Sequence, residues 1–370
     1  MIEYEGRYAS CKVFSDIIEE SCIKQIYNTL NCPAFDGATL RFMPDLHAGK
    51  GCVVGFTSTL TDKIIPGVVG VDIGCGVSCW GLEEIDINYK ELDDFIRLKI
   101  PYGFELNKRP VYRNFTTGEF IKQIEETCKR TDQAEKYNKA LLALSSLGGG
   151  NHMIEVGQSN NGKKLLTIHS GSRNFGLTIA NYYQKIANTK NPFGELSWLE
   201  GVDKDNYIAD MKVAQQYASI NRKIMGQTIL DYLKFKKEFG KFVESVHNYI
   251  DFTDNILRKG AISAQKGKPV AIPFNMRDGI VVGIGKGNED WNYSAPHGAG
   301  RIMSRGQAKR ELSLDVFKEE MKNVWSSCIN EKTIDESPMA YKDSNKIKEL
   351  IVDTIDVVDN FVPVYNFKAQ

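Results

Sequence analysis

The stretch Pro66-Gly67-Val68-Val69-Gly70-Val71-Asp72-Ile73-Gly74-Cys75-Gly76 sets a carboxylate and a thiol three residues apart inside a run of glycine and β-branched residues. Runs such as Val68-Val69-Gly70-Val71 predict buried strands and tight turns, a character shared by the whole segment from Met43 to Trp80. A free cysteine is ordinarily a small buried hydrophobe, and Cys79 beside Trp80 fits that description. Cys75 does not, because Gly74 and Gly76 leave it little apolar packing. Glycine beside a reactive side chain lets backbone and ligand approach closely.

Working outward, the five histidines are His47, His152, His169, His247 and His297. Four lie among glycines or small polar residues: Asp45-Leu46-His47-Ala48-Gly49, Gly149-Gly150-Asn151-His152, His169-Ser170-Gly171-Ser172-Arg173 and Pro296-His297-Gly298-Ala299-Gly300-Arg301. Imidazole, carboxylate and thiolate together make a ligand set for borderline transition metals. The run after His169 reads either as a phosphate-binding turn of hydroxyl and guanidinium donors or as an ordinary polar turn. His247, taken alone, reads as a satisfied histidine in an amphipathic helix, with Glu244 and Asp251 beside it. Arg301 and Arg305, four apart, are expected on one helical face.

The remaining segments set the fold class. Ser15 to Leu30 is expected to be a helix capped by Ser15, with Ile18, Cys22, Ile26 and Leu30 at helical spacing. Residues 82 to 146 are charged and helical until Leu147-Gly148-Gly149-Gly150. Lys164 to His169 reads as a strand running into a turn. Residues 205 to 257 read as mostly amphipathic helix, whose stripe Tyr207, Met211, Ala214, Tyr217 and Ile220 belongs to the core. Val270 to Ile284 has strand character, and the last third reads as helical. Lys234, Lys236, Lys237 and Lys241 read equally as a solvated helix face or a polyanion contact. No linker or repeat divides the chain, and candidate site residues run from 45 to 297. Distant segments must therefore meet at one centre, which predicts a single α+β domain over residues 1–370.

Composition excludes some classes. Lys plus Arg equals Asp plus Glu at 47 each, so no global basic field marks a nucleic-acid binder, although a local groove stays open. The eight cysteines (11, 22, 32, 52, 75, 79, 128, 328) form no disulfide framework and no apolar signal opens the chain, so the expected compartment is the cytoplasm. The longest apolar stretch, near Ile64 to Val71, is too short to cross a membrane. Lys50-Gly51 is not a P-loop, and there is no G-x-S-x-G elbow or dinucleotide fingerprint.

Six motifs in order carry a resemblance: Met43-Pro44-Asp45-Leu46-His47-Ala48-Gly49-Lys50-Gly51, Pro66 to Gly76, Leu147-Gly148-Gly149-Gly150-Asn151-His152, His169-Ser170-Gly171-Ser172-Arg173, Arg258-Lys259-Gly260-Ala261 and Ser294-Ala295-Pro296-His297-Gly298-Ala299-Gly300-Arg301. Through them the chain resembles the RtcB family of GTP-dependent RNA ligases. The resemblance implies β-sheets around a central two-metal site, with helices packed outside. It implies Asp72, Cys75, His152, His169 and His247 as ligands of two manganese ions, with Cys75 bridging, Asp72 and His152 on one ion and His169 and His247 on the other. His297 would carry the nucleotide and Asp45 would orient its imidazole. Asn151, His152, Glu155, His247, Asn248, Gly298, Ala299, Gly300 and Lys368 fall where the family contacts the guanylate. Pro273-Phe274-Asn275-Met276-Arg277-Asp278-Gly279 departs from the family's Pro-Gly-Ser-Met-Gly, which places Pro273, Asn275 and Met276 against the nucleotide in altered form. Arg173, Arg301 and Arg305 match arginines that would face RNA or phosphate.

The implied reaction joins RNA 3′-phosphate or 2′,3′-cyclic phosphate ends to 5′-hydroxyl ends with GTP and manganese, in RNA repair or tRNA splicing, with room for an activating partner protein. The same residues suit a two-metal phosphoesterase in which His297 is a general acid. A nucleotide-binding sensor with an altered 273–279 loop is a third class. A covalent nucleotide intermediate separates the ligase from the other two.

Overall fold

The computed structural model of the chain describes residues 1–16, 18–83, 85–235 and 242–369. Its strands in chain order are β1 (Ile2–Glu5), β2 (Ser10–Val13), β3 (Leu40–His47), β4 (Val54–Thr59), β5 (Gly76–Glu83), β6 (Met153–Gln158), β7 (Lys164–Ser170), β8 (Phe242–Val246), β9 (Asn248–Asp251), β10 (Ile256–Lys259), β11 (Ala261–Ser263), β12 (Pro269–Pro273), β13 (Ile280–Gly285), β14 (Ser294–Pro296) and β15 (Ile355–Lys368). The helices are α1 (Glu20–Leu30), α2 (Pro66–Val69), α3 (Tyr89–Lys99), α4 (Gly118–Arg130), α5 (Tyr137–Ala143), α6 (Arg173–Lys190), α7 (Gly201–Tyr232), α8 (Arg305–Glu311), α9 (Leu314–Glu320) and α10 (Ser344–Leu350).

One sheet has the order β1-β2-β3-β4-β10-β9, a second β12-β13-β15-β6-β7-β5-β8, and β11 with β14 forms a short third. Only β2 and β3 run parallel, among the described pairings. The fold is the expected mixed α+β domain. The 32-residue helix α7 joins its parts. One side of α7 buries Tyr207, Met211, Ala214, Tyr217, Ile220 and Ile224 in the core shared with the first sheet, α4 and α6. Further along, Met225, Ile229 and Leu230 pack with Trp80, Ile154, Leu166 and Ile168 of the second sheet. The expected stripe is therefore core. Each such side chain contributes about 1.5–3 kcal/mol by leaving water.

Several expectations need correction. Helix α1 begins at Glu20 rather than Ser15, and its N-cap residue is Glu19. The reason is that Phe14 stays extended, bonded to Phe42 and stacked on Trp291 at 3.9 Å between ring centroids. The 205–257 helix ends at Tyr232, and Phe242-Val243-Glu244-Ser245-Val246 adds to β5 as strand β8. Aromatic and β-branched residues on a half-buried face favour that pairing. Glu244 consequently faces α7 instead of His247. The last third of the chain is not wholly helical. It ends in the 14-residue strand β15, whose Phe361, Tyr365 and Phe367 are buried. Lys234 lies in a turn after α7 with φ of 52°; Lys236, Lys237 and Lys241 lie outside the described residues.

Beneath the second sheet, the fully buried Arg222 of α7 ties the elements together. Its guanidinium donates to the carbonyl oxygens of Gly74 (2.9 Å) and Ser170 (2.7 Å), to Ser78 Oγ (3.0 Å) and to Glu244 Oε1 (2.9 Å). Arg222→Ala would leave the half-buried Glu244 without its cation and two carbonyls without their donor. We expect it to destabilise the fold by about 3–5 kcal/mol, read as a lower urea midpoint; an unchanged midpoint would show that the network is dispensable.

Candidate metal centre and active site

Strand register brings the donor residues into one row. In the second sheet Met153 of β6 pairs with His169 of β7, and Val77 of β5 pairs with the same His169. Gly76 of β5 pairs with Ser170 on one side and Val246 of β8 on the other. His152, His169, Cys75 and His247 thus stand side by side at the ends of four adjacent strands. This corrects the helical placement of His247: it lies between β8 and β9, and its N–H donates to the Cys75 carbonyl at 2.8 Å.

The side chains converge. Cys75 Sγ is 3.5 Å from His152 Nε2 and 3.4 Å from His169 Nε2. His152 Nε2 is 3.0 Å from Asp72 Oδ2, and the Nε2 atoms of His169 and His247 are 3.3 Å apart. Ligand atoms of Cys75, His152 and His169 all lie within 4.8 Å of one another. The Leu147 carbonyl accepts from His152 Nδ1 at 2.9 Å, which leaves Nε2 aimed at the cluster. Burial pushes the Cys75 thiol well above its usual range, and the neighbouring Asp72 adds to this. Burial, reinforced by the other imidazoles, holds His169 and His247 well below theirs. Neutral imidazoles, a carboxylate and a thiol that ionises only beside a cation fit a borderline divalent metal ion.

A 840 Å³ cavity opens from this cluster. His297, just after β14, forms part of its wall, with its ring centroid 4.8 Å from that of His247. Buried Asp45 of β3 stands behind it, accepting from His297 Nδ1 at 2.6 Å and from the His297 backbone N–H at 3.2 Å. The close approach requires Gly300: at its φ of +75° a Cβ would lie 2.1 Å from the Asp45 carbonyl oxygen. Asn151, Asn248, Pro273, Asn275, Met276, Gly298 and Ala299 also line the cavity. The 273–279 segment is a tight β12–β13 connection in which Asn275 Oδ1 accepts from the N–H groups of Arg277 and Asp278.

Part of the cavity wall is cationic. Arg301 does not share a helical face with Arg305, because α8 begins only at Arg305. Both nevertheless reach Glu336, Arg301 at 3.4 Å and Arg305 at 2.5 Å, and Lys368 at the end of β15 reaches it at 3.0 Å. Tyr341 donates to the same carboxylate at 2.7 Å. Burial opposes ionisation of Glu336, but Lys368 and the arginines outweigh it and hold its carboxyl down at about 2. Asp335 helps: its carboxylate pairs with Arg305 at 2.8 Å and its carbonyl accepts from Arg301 at 2.6 Å, so two carboxylates order the three cations. Sequence reading missed Glu336; only the convergence of β15 and α8 reveals it. It also missed Lys259, a buried amine on the cavity wall held by the carbonyls of Lys50 (2.9 Å) and Gly67 (3.2 Å).

Glu155 and Arg173 are brought neither to the cavity wall nor into the donor cluster. Glu155 is fully buried in β6, where Asn366 Nδ2 donates to it at 2.7 Å and burial pushes its carboxyl up to about 8. Arg173 lies behind the His152 loop, donating to Ser146 Oγ at 3.0 Å and to the Gly103 carbonyl at 2.7 Å.

Burial holds His47 down at about 4, so three imidazoles resist protonation here. As pH falls below about 6.5 the unfolded chain takes up protons that these folded groups refuse, so their contribution disfavours folding progressively in acid. In the metal-free protein, the ring proton resonances of His47, His169 and His247 are expected to stay unshifted between pH 7.5 and 5.5. A midpoint near 6.5 for any of them contradicts this environment.

Comparison with known proteins agrees with the motif order. The family described as tRNA-splicing ligase RtcB matches residues 25–369. RNA-splicing ligase RtcB of Escherichia coli is 30% identical over 379 aligned residues, covering 92% of each chain. The tRNA-splicing ligase RtcB of Aeropyrum pernix is 28% identical over 402, covering 83% of each. No helix among the described residues is long and apolar enough to cross a membrane. With nearly its whole length matched, this chain belongs to the RtcB family of RNA-splicing ligases.

Proposed function

We propose that the chain joins RNA 3′-phosphate or 2′,3′-cyclic phosphate ends to 5′-hydroxyl ends, using GTP and passing through a His297–GMP adduct. The observation that carries this is the His297–Asp45 pair at the cavity wall beside the donor cluster. Asp45 holds the Nδ1 proton, which leaves the Nε2 lone pair as the nucleophile. His297 Nε2 attacks the α-phosphorus of GTP, the bond to the β-phosphate oxygen breaks, and pyrophosphate leaves. An RNA 3′-phosphate oxygen then takes the guanylate from nitrogen. The 5′-hydroxyl oxygen finally attacks the RNA phosphorus, loses its proton and expels GMP. A cyclic end must first take up water.

The activation has a physical reason. A phosphate monoester repels nucleophiles and its oxygen leaves badly, whereas GMP leaves readily. Asp72, Cys75, His152, His169 and His247 would hold two manganese ions, with Cys75 shared, and bound ions supply charge neutralisation at the transferring phosphate. Arg301, Arg305 and Lys368, ordered by Glu336, add fixed positive charge along the cavity wall. Asn151, Asn248, Pro273, Asn275, Met276, Gly298, Ala299 and Gly300 all line the cavity and would contact the guanylate. The process served is RNA repair or tRNA splicing in the cytoplasm.

The test is α-labelled GTP with manganese and no RNA. A label that survives denaturation, resists base and is lost in acid is expected on the wild-type chain. His297→Ala should abolish it while leaving bound metal close to normal, and Cys75→Ala should lower metal content. A label retained in His297→Ala assigns the nucleophile elsewhere; no label on any variant favours hydrolysis of phosphate esters over joining.

A further inference from the structure

Phe104 is fully exposed, in the connection between α3 and α4. Single exposed apolar residues are ordinary on protein surfaces, but three observations set this one apart. First, the loop is held on both sides of the ring. Gly103 N–H donates to the Gly148 carbonyl at 2.8 Å, and its own carbonyl accepts from Arg173 at 2.7 Å. Asn107 is fixed through its backbone N–H to Leu142 O (3.0 Å) and through Nδ2 to Leu144 O (2.6 Å). The ring is presented to solvent by an anchored backbone.

Second, the loop abuts the catalytic rim. Gly148 lies so close to the centre that a Cβ there would sit 2.4 Å from His152 Nδ1. A Cβ on Gly149 would lie 4.0 Å from Gly103 Cα, and one on Gly150 would lie 3.3 Å from Arg305. Phe104 is therefore one residue beyond a glycine turn whose other side meets the cationic wall of the cavity. Third, exposed Lys108 and Arg109 follow on the same loop, and neither has a carboxylate partner among the described residues. Nearby Arg113, by contrast, pairs with Asp231 at 3.2 Å.

We propose that Phe104 is a stacking platform for a base of single-stranded RNA whose reacting end lies in the cavity, with Lys108 and Arg109 holding the backbone. The pattern of an aromatic face beside free cations on a rim is how proteins grip single strands without reading sequence. A protein partner would be served by a contiguous apolar patch, whereas the next exposed residues after the ring in sequence are Glu105, Lys108 and Arg109. This inference rests on the RNA-joining function proposed above.

The test separates the two. Binding of a fluorescent single-stranded RNA with a 3′-phosphate, followed by anisotropy, needs no chemistry. Phe104→Ala is expected to weaken it about tenfold, within the range of one lost base stack. Phe104→Trp should restore it, Phe104→Leu should not, and Lys108→Ala/Arg109→Ala should flatten its salt dependence. GMP charging of each variant in the absence of RNA should equal wild type. Unchanged RNA affinity in Phe104→Ala overturns the platform, as does full affinity in Phe104→Leu. Unchanged affinity with impaired joining would assign the ring to a partner protein and equally overturn it. Failure of the wild type to charge or join, with the Phe104 dependence of RNA binding intact, would defeat the catalytic reading and leave the platform standing.

Discussion

A row of buried donor atoms packed within 3.5 Å of one another is the constraint on which the rest of this structure depends. His169 and His247 face each other nitrogen to nitrogen at 3.3 Å, and Cys75 sulfur lies within 3.5 Å of two imidazoles. Buried polar atoms in such an arrangement repel unless a cation or proton lies among them. The surrounding fold must hold them together, and it does so with strand ends. Four antiparallel strands in register give four donor residues one common edge. Arg222 below, with its four acceptors, locks that edge to the longest helix.

The other two sheets supply what the donor row lacks. The first sheet brings Asp45 on β3, and the short third sheet brings His297 just after β14, so the histidine–carboxylate pair and the donor cluster come from different sheets. Gly300 allows the two chains to touch, with a separation too small for any side chain. The cationic wall follows the same economy of parts. Glu336, with Asp335 beside it, orders Arg301, Arg305 and Lys368. A phosphate ester in the cavity would meet fixed positive charge from these groups.

Much of this was legible in the chain itself. Glycine-flanked residues announced Cys75, His152 and His297, because glycine beside a reactive side chain marks close approach. The resemblance to a known family supplied Asp45 and the ligand set. His247 was misplaced in a helix, since Glu244 and Asp251 at helical spacing imitate an amphipathic pattern while Phe242 to Val246 are in fact a strand. The local pattern was ambiguous, and pairing with β5 decided it. Glu336 left no local signal, and Lys259 stood in a motif without an assigned role. Their roles exist only through partners distant in sequence, such as Lys368 32 residues from Glu336 and Gly67 192 residues from Lys259. Arg173 and Glu155 carried motif signals, yet both lie behind the cavity wall, one bracing the Gly103 loop and one buried against Asn366.

The most direct measurement is joining of two RNA strands, one ending in an isotopically labelled 3′-phosphate and the other beginning with a 5′-hydroxyl, in the presence of GTP and manganese. The account predicts a joined product that retains the label as its junction phosphate, and no product from 3′-hydroxyl and 5′-phosphate ends. Release of the label as free phosphate without joining would contradict it.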